Sequence, residues 1–209
     1  MHRFANICLF GGTHLGKDAE FQNAAHDLGK TLAARKINLV YGGGVQGLQG
    51  SVAHTAITKG CKVLSITSRD DGTSKFSLGT KIKAVTMSDR LIYMLYNADA
   101  FIVLPGGLGA LEEISTIISW ANKNFHRKSL GFLNINGFYD GFLSFFYNAV
   151  EQEFMPQAMR RTIVSASTAD ELLDQLQHLL AEPIQIEKQG NPSNDDRRKK
   201  GNLDTTLRL

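Results

Sequence analysis

Two adjacent carboxylates, Glu112 and Glu113, follow directly on a bare glycine run in LPGGLGALEEISTIISW, residues Leu104 to Trp120. A glycine turn that opens a helix presents unpaired N–H groups backed by the positive end of the helix dipole. Without Cβ atoms, it lets an anion approach closely. That is a phosphate seat in outline. Carboxylates beside such a seat could steady positive charge growing on a sugar ring, or orient a water, as they do in glycoside hydrolysis. They are expected in the helix's first turn, where their plainer role is to complement the dipole, worth about 0.3–1 kcal/mol. Arg90 opens the helix after KAVT and offers a planar fork for phosphate or carboxylate. Its plainer role is a surface ion pair with Asp89 or Glu113.

Gly106-Gly107 is one of three glycine turns that end strand-like runs; the others are Gly11-Gly12 and Gly42-Gly43-Gly44. GGTHLG and GGGVQG resemble a dinucleotide fingerprint only loosely, with no strand-end acid at a fitting distance for a ribose. YGGGVQGLQGS lacks the G-K-[ST] ending of a nucleoside triphosphatase loop. Short glycine turns suit a bound monophosphate better than a dinucleotide. His14 sits in a glycine turn within possible reach of a ligand, or simply in solvent. His126 and Lys128 precede a strand, at the opposite edge. Trp120 shares an apolar stripe with Ile114, Ile117 and Ile118, which points to core or a subunit interface. The chain has no G-x-S-x-G element and no zinc-ligand spacing.

These residues need a scaffold, and strand and helix signals alternate to supply one. The strand-like runs are NICLFGG, INLVYGG, KVLSIT, KIKAVT, AFIVLPGG, SLGFLNI and RTIVSA. Helical spacing predicts helices over Ala19 to Arg35, Gly47 to Lys59, Met87 to Asn97, Leu108 to Asn122, Tyr139 to Phe154 and Ala169 to Leu180. SRDDGTSKFSLG is polar and aperiodic and reads as a loop. AFIVLPGG is the most apolar strand and is expected at the centre. Alternating elements with near-continuous apolar strands imply an α/β fold: one single-domain Rossmann-like, doubly wound parallel sheet with helices on both faces. In such a fold, ligands bind beyond the carboxyl ends of the strands, where all three glycine turns fall.

Composition excludes several other classes. A chain of 209 residues with 43% hydrophobic content can bury a core in one domain. It has no apolar run long enough to span a bilayer, and MHRFANICLFGG lacks a signal-peptide layout. Cys8 and Cys61 each lie in an apolar run, which suits core thiols and a cytoplasmic setting. Of the net charge of +3, +2 falls beyond Pro183, so the body is nearly neutral and offers no nucleic-acid footprint. Residues 1–182 are expected to form the folded domain. Residues 183–209 form a polar tail of mixed charge, expected to be disordered, with RRKK available to an acidic partner.

At the level of whole motifs, the chain resembles a known family. PGGLGALEE is similar to the P-G-G-x-G-T-x-x-E signature of the LONELY GUY (LOG) proteins, the cytokinin riboside 5′-monophosphate phosphoribohydrolases. YGGGVQGLQGSVA is similar to their G-G-G-x-x-G-L-M-G segment, and MSDRLIYMLYNADAFIVLPGG to their M-H-E-R-K helix and following strand. FLNINGFYDGFLSFFYNAVEQEFM resembles their C-terminal half; the likeness runs from about Asn6 to Leu180. The resemblance implies a Rossmann-like homodimer without metal or cofactor. It implies hydrolysis of an adenine-type nucleoside 5′-monophosphate to free base and ribose 5-phosphate. Arg90 and Glu113 take the places of the family's catalytic arginine and glutamate. Thr13, Gly43, Gly44, Gly106, Gly107, Leu108, Gly109, Ala110, Leu111 and Glu112 become the expected substrate contacts.

The family's older label, lysine decarboxylase, would need pyridoxal phosphate on a lysine, and no lysine stands among the glycine turns. There are departures. The signature threonine is Ala110, and the lysine after the arginine is Leu91. The family's C-G-S turn is Gly11-Gly12-Thr13, its M-H-E is Met87-Ser88-Asp89, and the loop after VLSIT lacks an isoleucine-proline run and its downstream glutamate. They suggest altered specificity. They also keep open a non-catalytic nucleotide-binding module, and a scaffold whose basic tail recruits a partner.

Overall fold

The computed structural model describes residues 4–69 and 76–181. The expected tail, with RRKK, lies outside the described residues, as does the middle of the loop after β3. The strands are β1 (Asn6–Phe10), β2 (Asn38–Tyr41), β3 (Val63–Ser68), β4 (Thr80–Ala84), β5 (Ala100–Val103), β6 (Leu130–Leu133) and β7 (Ile163–Ala166). The helices are α1 (Ala19–Ala34), α2 (Gly47–Thr58), α3 (Met87–Tyr96), α4 (Leu108–Asn122), α5 (Asp140–Glu151), α6 (Gln157–Arg160) and α7 (Ala169–Ala181).

The strands form a single seven-stranded sheet in the order β4-β3-β2-β1-β5-β6-β7, and every pairing is parallel. From β1 the chain builds outward through β4, then returns to β5 on β1's other side and builds outward again. The order therefore reverses between β1 and β5, and that is where a doubly wound sheet opens its ligand crevice.

Alternation along each strand divides the core in two. Ile7, Leu9, Leu39, Tyr41 and Ile102 face α1, α2 and α7, which contribute Leu28, Leu32, Val52, Leu172 and Leu176. Cys8, Phe10, Val40, Phe101 and Val103 face α3, α4 and α5, which contribute Met94, Ile114, Ile117 and Phe146. Because successive side chains point to opposite faces, β1 serves both cores and is buried on each. β4 (TKIKA) is mostly exposed, and its lysines suit an edge strand that must not recruit further chains.

The expected Rossmann-like architecture is observed, with three local differences. β5 is interior, but β1 holds the middle position. The helix expected over Tyr139 to Phe154 begins at Asp140 and ends at Glu151. A 3-10 turn, Ile135–Gly137, precedes it, and Asn134 fixes that turn by accepting from the Tyr139 amide (2.7 Å) and donating to the Asp140 carboxylate (2.7 Å). The short α6 follows Pro156 and carries no helical periodicity of its own. Among the described residues, no helix is long and apolar enough to cross a membrane.

Candidate active site

A cavity of about 880 Å³ opens at the carboxyl ends of β1 and β5. Its floor is Gly11 and Gly12 after β1, and Pro105 to Gly107 after β5. The two turns are tied together, the Gly12 amide donating to the Pro105 carbonyl at 2.9 Å. They also touch: a Cβ on Gly106 would lie 2.9 Å from the Gly12 nitrogen and 2.7 Å from the Ala110 methyl.

One wall is the mouth of α4. Gly107 is its N-cap and brings no side chain to cap it. The first intrahelical bond comes from Leu111 to the Gly107 carbonyl at 3.1 Å, so the amides of Leu108, Gly109 and Ala110 precede it. Gly107 and Gly109 meet nothing within 4 Å in their Cβ directions. An open helix N-terminus with bare backbone is a seat for an anion.

Glu112 and Glu113 sit at the fifth and sixth positions of α4, and its first turn carries no acid. The dipole role considered for them falls off within the first turn, so something else accounts for the pair. Glu112 is exposed and lines the cavity. Glu113 is buried, and the Arg90 guanidinium meets it: Nη1 donates to Oε1 at 2.5 Å, with side-chain exposures of 6% and 12%. Arg90 is further held by its Nε, which donates to the Ile66 carbonyl at 3.0 Å. Asp89, the other partner considered for Arg90, is committed elsewhere, closing a capping box with Thr86 at the start of α3. Both members of the Arg90–Glu113 pair line the cavity. Beneath them, Cys8 is fully buried. Burial pushes its thiol well up, the Glu113 charge adds to this, and Arg90 and Lys128 oppose it, so Cys8 is a core thiol.

Thr13, Gly106, Gly107, Leu108, Gly109, Ala110 and Glu112 all line the cavity. Gly43, Gly44 and Leu111 do not. Leu111 packs against the core on the α3/α4 side. Gly43 and Gly44 adopt φ of +83° and +84°, a left-handed turn that favours glycine. His14 and Trp120 both line the cavity, Trp120 while also packing on the core. His126 is structural: one ring nitrogen meets the Ile117 carbonyl at 3.0 Å and the other accepts from the Lys128 amide at 3.1 Å.

The site also contains residues that sequence reasoning missed. Gln49 lines the cavity at 7% exposure. Its Nε2 donates to the Gly11 carbonyl at 2.6 Å, and its Oε1 is a buried acceptor with no protein partner among the described residues. The signal was the family's G-L-M-G pattern, in which Gln49 occupies the methionine position. Tyr139 supports the loop after β5 from below, donating to the Leu104 carbonyl at 2.9 Å. Burial pushes its hydroxyl well above the usual phenol range, against a backbone hydrogen bond from Gly106. Phe21, Leu48, Leu91 and Phe138 add apolar wall.

The fold and site define a Rossmann-like protein with a glycine-floored cavity and a buried Arg–Glu pair at the switch point of its sheet. A protein-family profile described as "Possible lysine decarboxylase" matches residues 49–176. The chain is 42% identical over 184 residues to the cytokinin riboside 5′-monophosphate phosphoribohydrolase LOG of Oryza sativa subsp. japonica, covering 86% of this chain and 76% of that one. It is 43% identical over 178 residues to LOG7 of Arabidopsis thaliana, which bears the same enzyme name, covering 84% and 82%. The chain belongs to this LOG family.

Among solved structures, the Moco carrier protein of Chlamydomonas reinhardtii matches with a TM-score of 0.63 at 17% identity, covering 86% of this chain and 99% of that one. A molybdenum cofactor binding protein of Rippkaea orientalis matches at 0.62 and 20%, covering 86% and 99%. At these identities the likeness is one of fold. The lysine-decarboxylase description does not fit the site, because no lysine lines this cavity among the described residues and pyridoxal phosphate chemistry needs one.

Proposed function

We propose that the chain hydrolyses the N-glycosidic bond of an adenine-type nucleoside 5′-monophosphate, releasing free base and ribose 5-phosphate. The observation that carries this reading is the Arg90–Glu113 pair, buried in the wall of a cavity whose floor is an anion seat. Phosphate sits on the amides that open α4, with Thr13 beside it, and the base lies toward the apolar wall that includes Leu91, Trp120 and Phe138. As the C1′–N bond breaks, its electron pair leaves with the base and positive charge grows on the ribose. The Glu113 carboxylate stabilises that charge and orients the water. The water oxygen bonds to C1′ and its proton passes to the base, which balances the reaction. Two of the three guanidinium nitrogens of Arg90 are already engaged by Ile66 and Glu113. Arg90 therefore aims Glu113 and leaves the phosphate to the backbone. Gly43, Gly44 and Leu111 act through the shape of their turns and packing.

The chain acts as a homodimer in this proposal, supported by Ile92, Tyr93 and Tyr96, which α3 leaves exposed; light scattering should give about twice 23.0 kDa. The free thiols Cys8 and Cys61 suit a cytoplasmic setting. The functional test is chromatography of AMP and N6-isopentenyladenosine monophosphate after incubation with purified protein. Free base with equimolar ribose 5-phosphate from either one supports the proposal. Binding of both nucleotides with no base from either would replace it with the non-catalytic binding module.

A further inference from the structure

The glycine run after β2 does not line the cavity, yet its first member touches the site's central side chain. Gly42 is buried, and a Cβ built on it would lie 1.7 Å from Arg90 Nη2 and 2.9 Å from Cζ. Its φ is not among the left-handed ones, so a positive φ is not what calls for glycine there. What forbids a side chain is the guanidinium, whose Nη2 occupies the space a Cβ would take. The neighbouring glycines answer to different constraints: a Cβ on Gly43 would meet the Thr67 methyl at 2.4 Å, and Gly43 and Gly44 both need positive φ.

The geometry points to Gly42 as a positioning residue for the reaction proposed above, on which this inference rests. Its missing side chain is the slot that holds the Arg90 guanidinium in register with Glu113. The slot has three fixed sides: the Ile66 carbonyl takes Nε at 3.0 Å, Glu113 takes Nη1 at 2.5 Å, and the bare Gly42 backbone stops Nη2. Real Cβ contacts essentially never fall below 3.0 Å, so an alanine methyl must drive Nη2 back by at least 1.3 Å, the difference between 3.0 and 1.7 Å. The guanidinium is the end of a flexible side chain and can yield without unfolding the sheet. It cannot yield and keep both hydrogen bonds. A displacement of about 1 Å at a catalytic constellation costs on the order of 100-fold in rate.

The test compares wild type, Gly42→Ala, Arg90→Lys and the double variant. Gly42→Ala is expected to fold with a Tm lowered by several degrees, since a buried hydrogen bond to a charged group is lost, and with a KM within about threefold, while kcat falls by roughly 100-fold. In the Arg90→Lys background, whose compact ammonium lacks the fork, the same alanine is expected to cost less than about threefold. Wild-type kcat in Gly42→Ala would overturn the proposal, and so would an equal loss in both backgrounds.

A second readout does not depend on turnover. In arginine-labelled protein the Arg90 Nε–H signal, identified by its absence in Arg90→Lys, is expected to exchange slowly in wild type and at least about tenfold faster in Gly42→Ala, because the bond to Ile66 is broken. Unchanged protection would overturn the proposal even if wild type released no base. Absence of base release by wild type, with protection lost in Gly42→Ala, would instead defeat the assigned reaction and leave Gly42 as the residue that seats Arg90.

Discussion

Replacing Arg90 by methionine isolates what the buried pair costs and contributes. The guanidinium and carboxylate are 6% and 12% exposed and 2.5 Å apart, so solvent screens them little. Taking away the guanidinium leaves the Glu113 charge in the same low-dielectric wall without it, a perturbation that costs about 3–5 kcal/mol. For a chain of this length that lowers Tm by ~6–20 °C. The companion variant, Arg90→Met with Glu113→Leu, removes both charges and fills similar volume. Buried pairs exchanged for apolar residues are commonly neutral or stabilising by ~1–4 kcal/mol, so the double variant should regain wild-type stability or exceed it while being inactive. Urea and thermal unfolding at neutral pH, at low and high salt, read both effects, and the difference should not shrink with salt. A cost below about 1 kcal/mol for Arg90→Met, the size of a surface ion pair, would refute the reasoning. So would a double variant no more stable than the single one. A double variant at least as stable as wild type would show that the pair is kept for chemistry at the expense of stability.

Three further outcomes are expected. Ala110→Thr restores a hydroxyl beside the Gly106 loop, and a hydrogen bond to a charged phosphate is worth about 1.5–3 kcal/mol, so KM for the nucleotide should fall roughly 10- to 100-fold in steady-state assays. Gln49→Glu should lower Tm more than Gln49→Met, because a buried carboxylate would face the Gly11 carbonyl with no proton to donate, whereas methionine removes an acceptor that has no protein partner among the described residues. His126 should make stability fall in acid. Burial holds its pKa below the ordinary 6.5, reinforced by Lys128 and opposed by the bond to Ile117. The folded state therefore binds fewer protons than the unfolded state. Its contribution is fully present above pH 6.5 and is lost progressively as pH falls below that value. Protonating the nitrogen that accepts from Lys128 also breaks that bond. His126→Gln should flatten the denaturant midpoint over the same range.

Much of this site could be read from the residues. The α4 range, Leu108 to Asn122, follows from one apolar stripe and a glycine start, and it carries the anion seat and Glu113 with it. The parallel sheet follows from apolar strands alternating with helices. The glycine run at Gly42 was harder. A glycine in sequence shows only that something excludes a Cβ, and a ligand, a backbone turn and a neighbouring arginine leave the same letter. The 3-10 turn before α5 was missed for a similar reason, because Asn134 satisfies Tyr139 and Asp140 through side-chain bonds that periodicity does not register. Gln49 escaped because glutamine at helical spacing looks like a surface residue, and only the docking of α2 over Gly11 buries it.

The most direct test of the central claim is base release by the Glu113→Gln variant, measured beside its affinity for the same nucleotide by calorimetry. Loss of base release with nucleotide binding retained is the predicted result, since the amide keeps the shape of Glu113 and loses its charge. Turnover equal to wild type would contradict the assignment of Glu113 and, with it, the chemistry built on the Arg90–Glu113 pair.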